Sequence, residues 1–157
     1  MYIPPKKGRS HVLRLIRELI EFEPKSHKTD IAQALKFLSS TQKKKAIVFM
    51  ISDFMCENYE QTLKIASKKH DITGIRVYDI REEKMPNLGM VTMLDAETGR
   101  TQLINTGSKT VRMNYEKHYQ DKVNYFKETF RKSGSGVVNT RVDESYVTKL
   151  LSYFKSR

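Results

Sequence analysis

Two aspartates carry the first chemical signal in this chain. Asp53 follows the apolar run 46–51 and Ser52, and Asp79 ends the β-branched stretch that begins at Asp71. If both runs are parallel strands, both carboxylates stand at strand carboxyl ends, the edge of an open α/β sheet where ligands bind. Ser52 shares that edge, and Thr29, at the start of a helix entering the same sheet, can bring a hydroxyl to it. Donors made only of oxygen suit a hard cation such as magnesium. Asp53 and Asp79 are also the equipment of a magnesium-dependent hydrolase or nuclease, since phosphoryl chemistry often uses carboxylate-held metals. The plainer reading gives them structural work: Asp53 caps the following helix and Asp79 opens a loop, the commonest jobs for such residues.

The elements that must position these groups follow from periodicity. Residues 1–9 read as an extended basic lead-in containing two prolines. Ser10 is the expected cap of a helix over 10–22, where Val12, Leu13, Leu15, Ile16, Leu19 and Ile20 keep helical spacing. Glu23-Pro24 ends it, because Pro disfavours helix in the residue before it. Thr29 is the expected cap of a second helix over 29–40, with Ile31, Ala34, Leu35 and Leu38 as its stripe. The uninterrupted run 46–51 suits a strand buried on both faces. A helix over 58–69, with Tyr59, Leu63 and Ala66 inward, and a strand over 72–78 complete a β-α-β unit with a right-handed crossover. Segments 90–94 and 101–104 flank the Gly-containing turn 95–99 and predict a hairpin. Val111, Tyr115, Tyr119, Val123, Phe126 and Phe130 predict a helix over 109–132, broken by 133–136. A short third strand over 137–140 precedes a last helix with Tyr146, Leu150, Leu151 and Phe154, for which Asp143 is the expected cap. The expected fold is α/β: a partial doubly wound, Rossmann-like sheet of three parallel strands plus a β-hairpin, covered by helices. Helices 10–22 and 29–40 would normally pack around strands that precede them in the chain.

At these same residues the chain resembles a known family. Thr29-Asp-Ile-Ala-Gln-Ala-Leu35, Ile47-Val-Phe-Met-Ile-Ser-Asp-Phe54, His70-Asp71 and Val77-Tyr-Asp-Ile-Arg-Glu-Glu83 are similar to blocks of the bacterial "domain of unknown function 58" family, as are Leu94-Asp-Ala-Glu-Thr-Gly99, Asn139-Thr140 and the closing 146–157. The resemblance implies a von Willebrand factor type A-like domain, often holding a metal-ion-dependent adhesion site. By motif, Thr29 and Asp53 would be two of its magnesium ligands. The others come from an Asp-x-Ser-x-Ser loop after the first, central strand, and this sequence contains no such motif. Residues 10–157 are therefore expected to be one such domain lacking its N-terminal strands, with an incomplete site that binds magnesium weakly or not at all; no other cofactor is expected. The resemblance further implies a non-enzymatic protein-binding module acting with a MoxR-type AAA+ ATPase in complex assembly or envelope function. In that family's sheet the 46–51 strand pairs with the central strand. An unpaired apolar edge is an association hazard, so a homodimer covering it is expected.

Composition narrows the alternatives. In 157 residues, 29 Lys and Arg face 18 Asp and Glu, a formal charge of +11, and 38% of residues are apolar against roughly 45–50% in typical soluble domains. Segments 1–45 and 107–157 carry +7 and +6, and 46–106 carries −2. A basic surplus attracts nucleic acid, anionic lipid or an acidic protein surface without distinguishing them. A basic nucleic-acid-binding domain is therefore a further alternative resting on charge alone, since no nucleic-acid-binding motif accompanies it. The longest apolar run has six residues, whereas a membrane helix needs about 20. With no apolar segment of a secretory signal at its start, the chain is expected to be cytoplasmic. The single Cys56 excludes a disulfide framework, and the four histidines lack zinc-ligand spacing. Gly134 and Gly136 are not followed by Lys-Ser/Thr and make no P-loop. Lys43, Lys44 and Lys45 read as a solvated turn, and the Tyr and Phe stripe on 111–130 as core.

Overall fold

A computed structural model describes residues 2–23, 29–94 and 99–156. Five helices and five strands follow one another as α1 (Arg9–Glu21), α2 (Ile31–Thr41), β1 (Ile47–Ser52), α3 (Glu60–Ser67), β2 (Asp71–Tyr78), β3 (Met90–Leu94), β4 (Thr101–Asn105), α4 (Lys109–Lys132), β5 (Gly136–Arg141) and α5 (Tyr146–Lys155). The expected architecture is present. β1, β2 and β5 form a parallel sheet in the order β1-β2-β5, and β3 and β4 form a separate antiparallel pair. The expected breaking of the first helix at Pro24 and most of the hairpin turn, 95–98, lie outside the described residues.

The parallel register sets Phe49 beside Thr73 and Ser52 beside Arg76, and then Thr73 beside Gly136 and Arg76 beside Asn139. One face of the sheet therefore carries Val48, Met50, Ile72, Gly74, Arg76 and Val137. It packs under α2, α3 and α4, whose Ile31, Leu35, Leu63, Ala66, Phe126 and Phe130 form the core with Phe54 and Tyr59. α4 spans the range that its spacing predicts, and Tyr119, Val123, Phe126 and Phe130 are its buried stripe. Phe54 stacks on Phe126 with centroids 4.2 Å apart and meets Phe130 edge-on at 5.3 Å. Helix α4 comes so close to the sheet that only a glycine fits at position 74.

The opposite face is covered only in part. α5 lies over β5 and β2, where Tyr153 Oη is 3.0 Å from Thr73 Oγ1, and it reaches β1 through Phe154 against Phe49. Side chains on β1 consequently alternate, with Ile47, Phe49 and Ile51 exposed by 66%, 46% and 69%. This corrects the expectation of a strand buried on both faces. An uninterrupted apolar run reports what a strand can bury, and among the described residues this side of β1 meets only the end of α5 at Phe154 and an open recess shared with Tyr2, Pro5 and Phe37. α1 keeps its apolar stripe, yet none of its residues is buried.

Three expected caps are also corrected. α1 starts from Gly8, whose φ of 104° favours glycine and whose carbonyl accepts from His11 N and Val12 N at 3.1 and 3.3 Å, so Ser10 lies inside the helix. α2 is capped by Asp30, not Thr29: Asp30 Oδ1 accepts from Gln33 N at 2.8 Å, one residue closer to the first turn. Asp143 does not cap α5, because the Arg141 guanidinium holds both its oxygens at 2.9 and 3.0 Å. Between α3 and β2, His70 is buried with neither ring nitrogen hydrogen-bonded. Burial, with the neighbouring Lys69 charge adding to it, holds its imidazole below the usual histidine range.

Candidate functional site

The carboxyl end of β1 turns sharply into the loop before α3. Ser52 Oγ accepts from Phe54 N at 3.1 Å and donates to Asp53 Oδ1 at 3.2 Å, and Asp53 Oδ1 accepts from Met55 N at 3.2 Å. Asp53 thus shapes this turn and does not cap α3, whose first turn follows Tyr59. The turn forces Phe54 to a φ of 56°, rare for a bulky residue, and the burial of its ring among Phe126 and Phe130 holds it there. The Asp53 carbonyl, facing inward, accepts from Arg76 Nε at 3.2 Å.

Arg76 is the residue that the sequence reading missed. It lies on β2 beside Ser52, is 2% exposed, and donates through Nη2 to Tyr119 Oη. Its guanidinium lies over the Tyr78 ring at 4.3 Å and the Tyr119 ring at 5.3 Å, within cation–π range of both. Burial pushes the Tyr119 hydroxyl up, against the opposing pull of the Arg76 charge. The signal available in the sequence was a single arginine inside the otherwise apolar and small stretch Asp71–Tyr78.

Above this pair, a recess of about 300 Å³ is lined by Asp53, Met55, Glu82, Tyr115, His118, Tyr119 and Lys122. Its walls are set by long-range contacts. Tyr115 Oη donates to the Glu82 carbonyl at 2.9 Å, fixing the segment after β2 to α4, and Lys122 Nζ pairs with Glu57 at 2.9 Å. Burial raises the Tyr115 hydroxyl above the usual range, with the Glu82 charge adding to it.

The expected site residues are only partly brought together. Thr29 and Ser52 line a second, shallow recess of about 320 Å³ with Met50 and Ile51, whereas Asp53 lines the recess over Arg76. Asp79 lines neither. Its Oδ1 accepts from Arg81 N at 2.9 Å, and its other oxygen pairs with the Arg81 guanidinium at 3.2 Å. The Arg81 backbone N–H, and after it the guanidinium, hold the Asp79 carboxyl below the usual range. Near Asp53, the Cys56 thiol is pushed up by burial, opposed by a hydrogen bond from the Ile31 backbone.

Among the described residues no three His, Cys, Asp or Glu side chains converge as a metal would need. A magnesium ion takes near-octahedral oxygen coordination, and Thr29 with an Asp53 already engaged in its own turn does not fit that requirement. Calorimetric titration with magnesium is expected to show no micromolar binding, and Asp53→Ala to leave the trace unchanged. Micromolar affinity abolished by that substitution would contradict it.

These features define an α/β protein with a short parallel sheet and a recess at its carboxyl edge. Residues 1–125 match the family described as "Protein of unknown function DUF58", and the chain belongs to that family. An uncharacterised protein of Mycobacterium avium is 25% identical over 99% of this chain and 93% of its own length. Uncharacterised proteins of Mycobacterium bovis and Mycobacterium tuberculosis are 23% identical over 99% of this chain, which spans 50% of their length. The crystal structure of the conserved hypothetical protein BatB from Bacteroides thetaiotaomicron aligns over 94% of this chain and 68% of its own, with a TM-score of 0.47 and 16% identity. No helix among the described residues is long and apolar enough to cross a membrane.

Proposed function

We propose that the chain is a von Willebrand A-like protein-binding module that recognises its partner at the carboxyl edge of the sheet. The recess over Arg76 carries this reading. Its Met55, Tyr115 and Tyr119 are residue types enriched at protein interfaces, and Asp53, Glu82, His118 and Lys122 complete a polar rim. Arg76 has no carboxylate in ion-pair contact among the described residues. Arg76 lies behind this lining, and Asp53 and Glu82 stand beside His118 and Lys122 around the aromatic centre, a mixed-charge border that suits a polar partner surface. The family resemblance supplies the partner class, a MoxR-type AAA+ ATPase, and a role in complex assembly or envelope function. The hydrolase reading has less support, because Asp79 is engaged by Arg81 and does not share a recess with Asp53.

The test is sedimentation of the purified chain with the MoxR-type ATPase of its own genome. A complex is expected, weakened about tenfold or more by Tyr115→Ala, the loss typical of a hot-spot aromatic. Absence of a complex, or a Tyr115→Ala variant that binds unchanged, would count against the reading. Magnesium-dependent cleavage of a phosphodiester lost in Asp53→Ala would favour the hydrolase.

A further inference from the structure

The topology gathers positive charge at one end of the sheet. β1, β2 and β5 run parallel, with Ile47 beside Asp71 and Thr73 beside Gly136, so their amino ends share one edge. Helices α2, α3 and α4 each close just before one of these strands and therefore end at that edge. α5 ends there as well, because its Tyr153 hydroxyl meets Thr73 beside Gly136. Three exposed lysines, Lys43, Lys44 and Lys45, lead into β1. Lys64 lies in the last turn of α3, with Lys68 just after it, and both are exposed. The last turns of α4 and α5 add the exposed Arg131, Lys132 and Lys155. Lys69 Nζ donates to the Gln42 carbonyl at 2.8 Å and ties the lysine turn to the end of α3, while Lys64 and Lys132 border one recess between α3 and α4. The acids in these same segments are the half-buried Asp71 and Glu128, which pairs with Lys132 at 2.9 Å. Segment 46–106, −2 in net charge, is thus polarised by the fold: Lys64, Lys68 and Lys69 go to the amino end, and Asp53, Glu57, Asp79 and Glu82 to the carboxyl end.

We propose that this basic end is a docking surface for an anionic phospholipid membrane. Cations in a last turn also complement the helix dipole, which is structural work. That accounts for the helical residues one by one, but not for the three lysines of a turn, nor for exposed cations from four segments gathered at one end. Three features favour a lipid surface over other polyanions. Apart from Arg131 the exposed cations are lysines, point charges on flexible stems that suit diffuse attraction to a charged surface, whereas phosphate recognition of fixed geometry uses the arginine fork. They spread over the ends of several elements and enclose no phosphate pocket, since the recess that Lys64 and Lys132 border also carries Glu60 and Glu128. Ile65, 66% exposed and flanked by Lys64 and Lys68, gives this end an apolar side chain that can enter the headgroup layer. In this orientation the strands run along the membrane normal, and the recess over Arg76, at the opposite end, faces away from the lipid. The proposal is compatible with the partner-binding reading and does not rest on it.

Co-sedimentation of the intact chain with vesicles of phosphatidylserine and phosphatidylcholine in equal parts is expected to show binding that phosphatidylcholine alone does not give and that high salt abolishes. Lys43→Gln, Lys44→Gln and Lys45→Gln together are expected to weaken that binding about tenfold or more, since each lysine near an anionic surface contributes severalfold. Lys64→Gln with Lys68→Gln and Lys132→Gln should weaken it to a similar extent, although these residues lie on other elements. Lys84→Gln with Lys109→Gln and Lys117→Gln removes the same charge away from the amino end and should leave binding unchanged. All nine side chains are exposed, so circular dichroism is expected to match the wild type, and either amino-end triple decides the matter should the other not fold. Equal binding to both vesicle types, binding to neither, or an equal loss in the third triple would overturn the proposal. So would tighter binding to a nucleic acid than to the anionic vesicles at the same salt, lost in the 43–45 triple, which would assign this end to nucleic acid.

Discussion

Gly74→Val is expected to destabilise the fold by about 3 kcal/mol, read as a lowered urea midpoint with an unchanged slope. A Cβ built at Gly74 stands 2.6 Å from Phe130 Cε1 and 2.8 Å from Phe126 Cε2, well inside contact distance, before valine adds two methyl groups. The rings have little room to retreat. Phe126 stacks on Phe54 and touches Phe130, and Phe130 also meets Tyr59 edge-on, so one displacement disturbs the whole aromatic cluster. β2 is the middle strand of the sheet, paired on both sides, and it cannot shift outward to relieve the clash. A double-mutant cycle gives the stricter test. Phe130→Ala alone is expected to cost about 3–5 kcal/mol by leaving a cavity. In Gly74→Val with Phe130→Ala the valine enters that cavity, so the pair should lose less than the sum by about 1 kcal/mol or more. Strict additivity would mean that Gly74 and Phe130 are not in contact. Gly134→Ala is a useful contrast: it meets open space, and only its φ of 73° is unfavourable, at about 1–2 kcal/mol.

Arg76→Ala is expected to cost about 2–4 kcal/mol, the second large effect. The substitution leaves the Asp53 carbonyl and Tyr119 hydroxyl without this donor and removes the cation that lies over the Tyr78 and Tyr119 rings. It also empties volume beneath the recess. Arg76→Lys is expected to fall between the two, because an ammonium cannot donate in two fixed directions while lying flat on aromatic faces. Since the guanidinium is shielded from solvent, raising the salt concentration should change the wild-type-to-Ala difference little. The functional consequence separates this residue from the core. The Gly74→Val fraction that remains folded should keep partner affinity, whereas folded Arg76→Ala should lose it, because Arg76 holds the Asp53 carbonyl and the Tyr119 hydroxyl, and both residues line the recess. A folded Arg76→Ala that binds its partner with unchanged affinity would remove Arg76 from the site.

Much of the architecture was legible in the residues. The 3.6-residue spacing of α4 and the β-branched runs of β1 and β2 mark elements by local preference alone, and the observed bounds differ from those expected by no more than two residues at each of these ends. Caps were less legible. Ser10, Thr29 and Asp143 are all chemically able to cap, but Gly8, Asp30 and the Arg141 pairing won by position, which depends on the path of the chain into each helix. The site was half legible. Ser52, Asp53 and Thr29 do gather at the carboxyl edge, but on two neighbouring recesses, and Asp79 is held in its own turn.

Local sequence, then, determined which segments are helix and strand, and that the sheet is parallel. These depend on backbone preference and on apolar periodicity within about ten residues. Only the tertiary structure decided which face each element buries: that Arg76 is enclosed while Ile51 is open, that Tyr119 of α4 meets a strand 43 residues earlier, and that β2 is the middle strand among the described residues. Burial is a relation between two segments, and a run such as 46–51 reads the same whether or not another element lies across it.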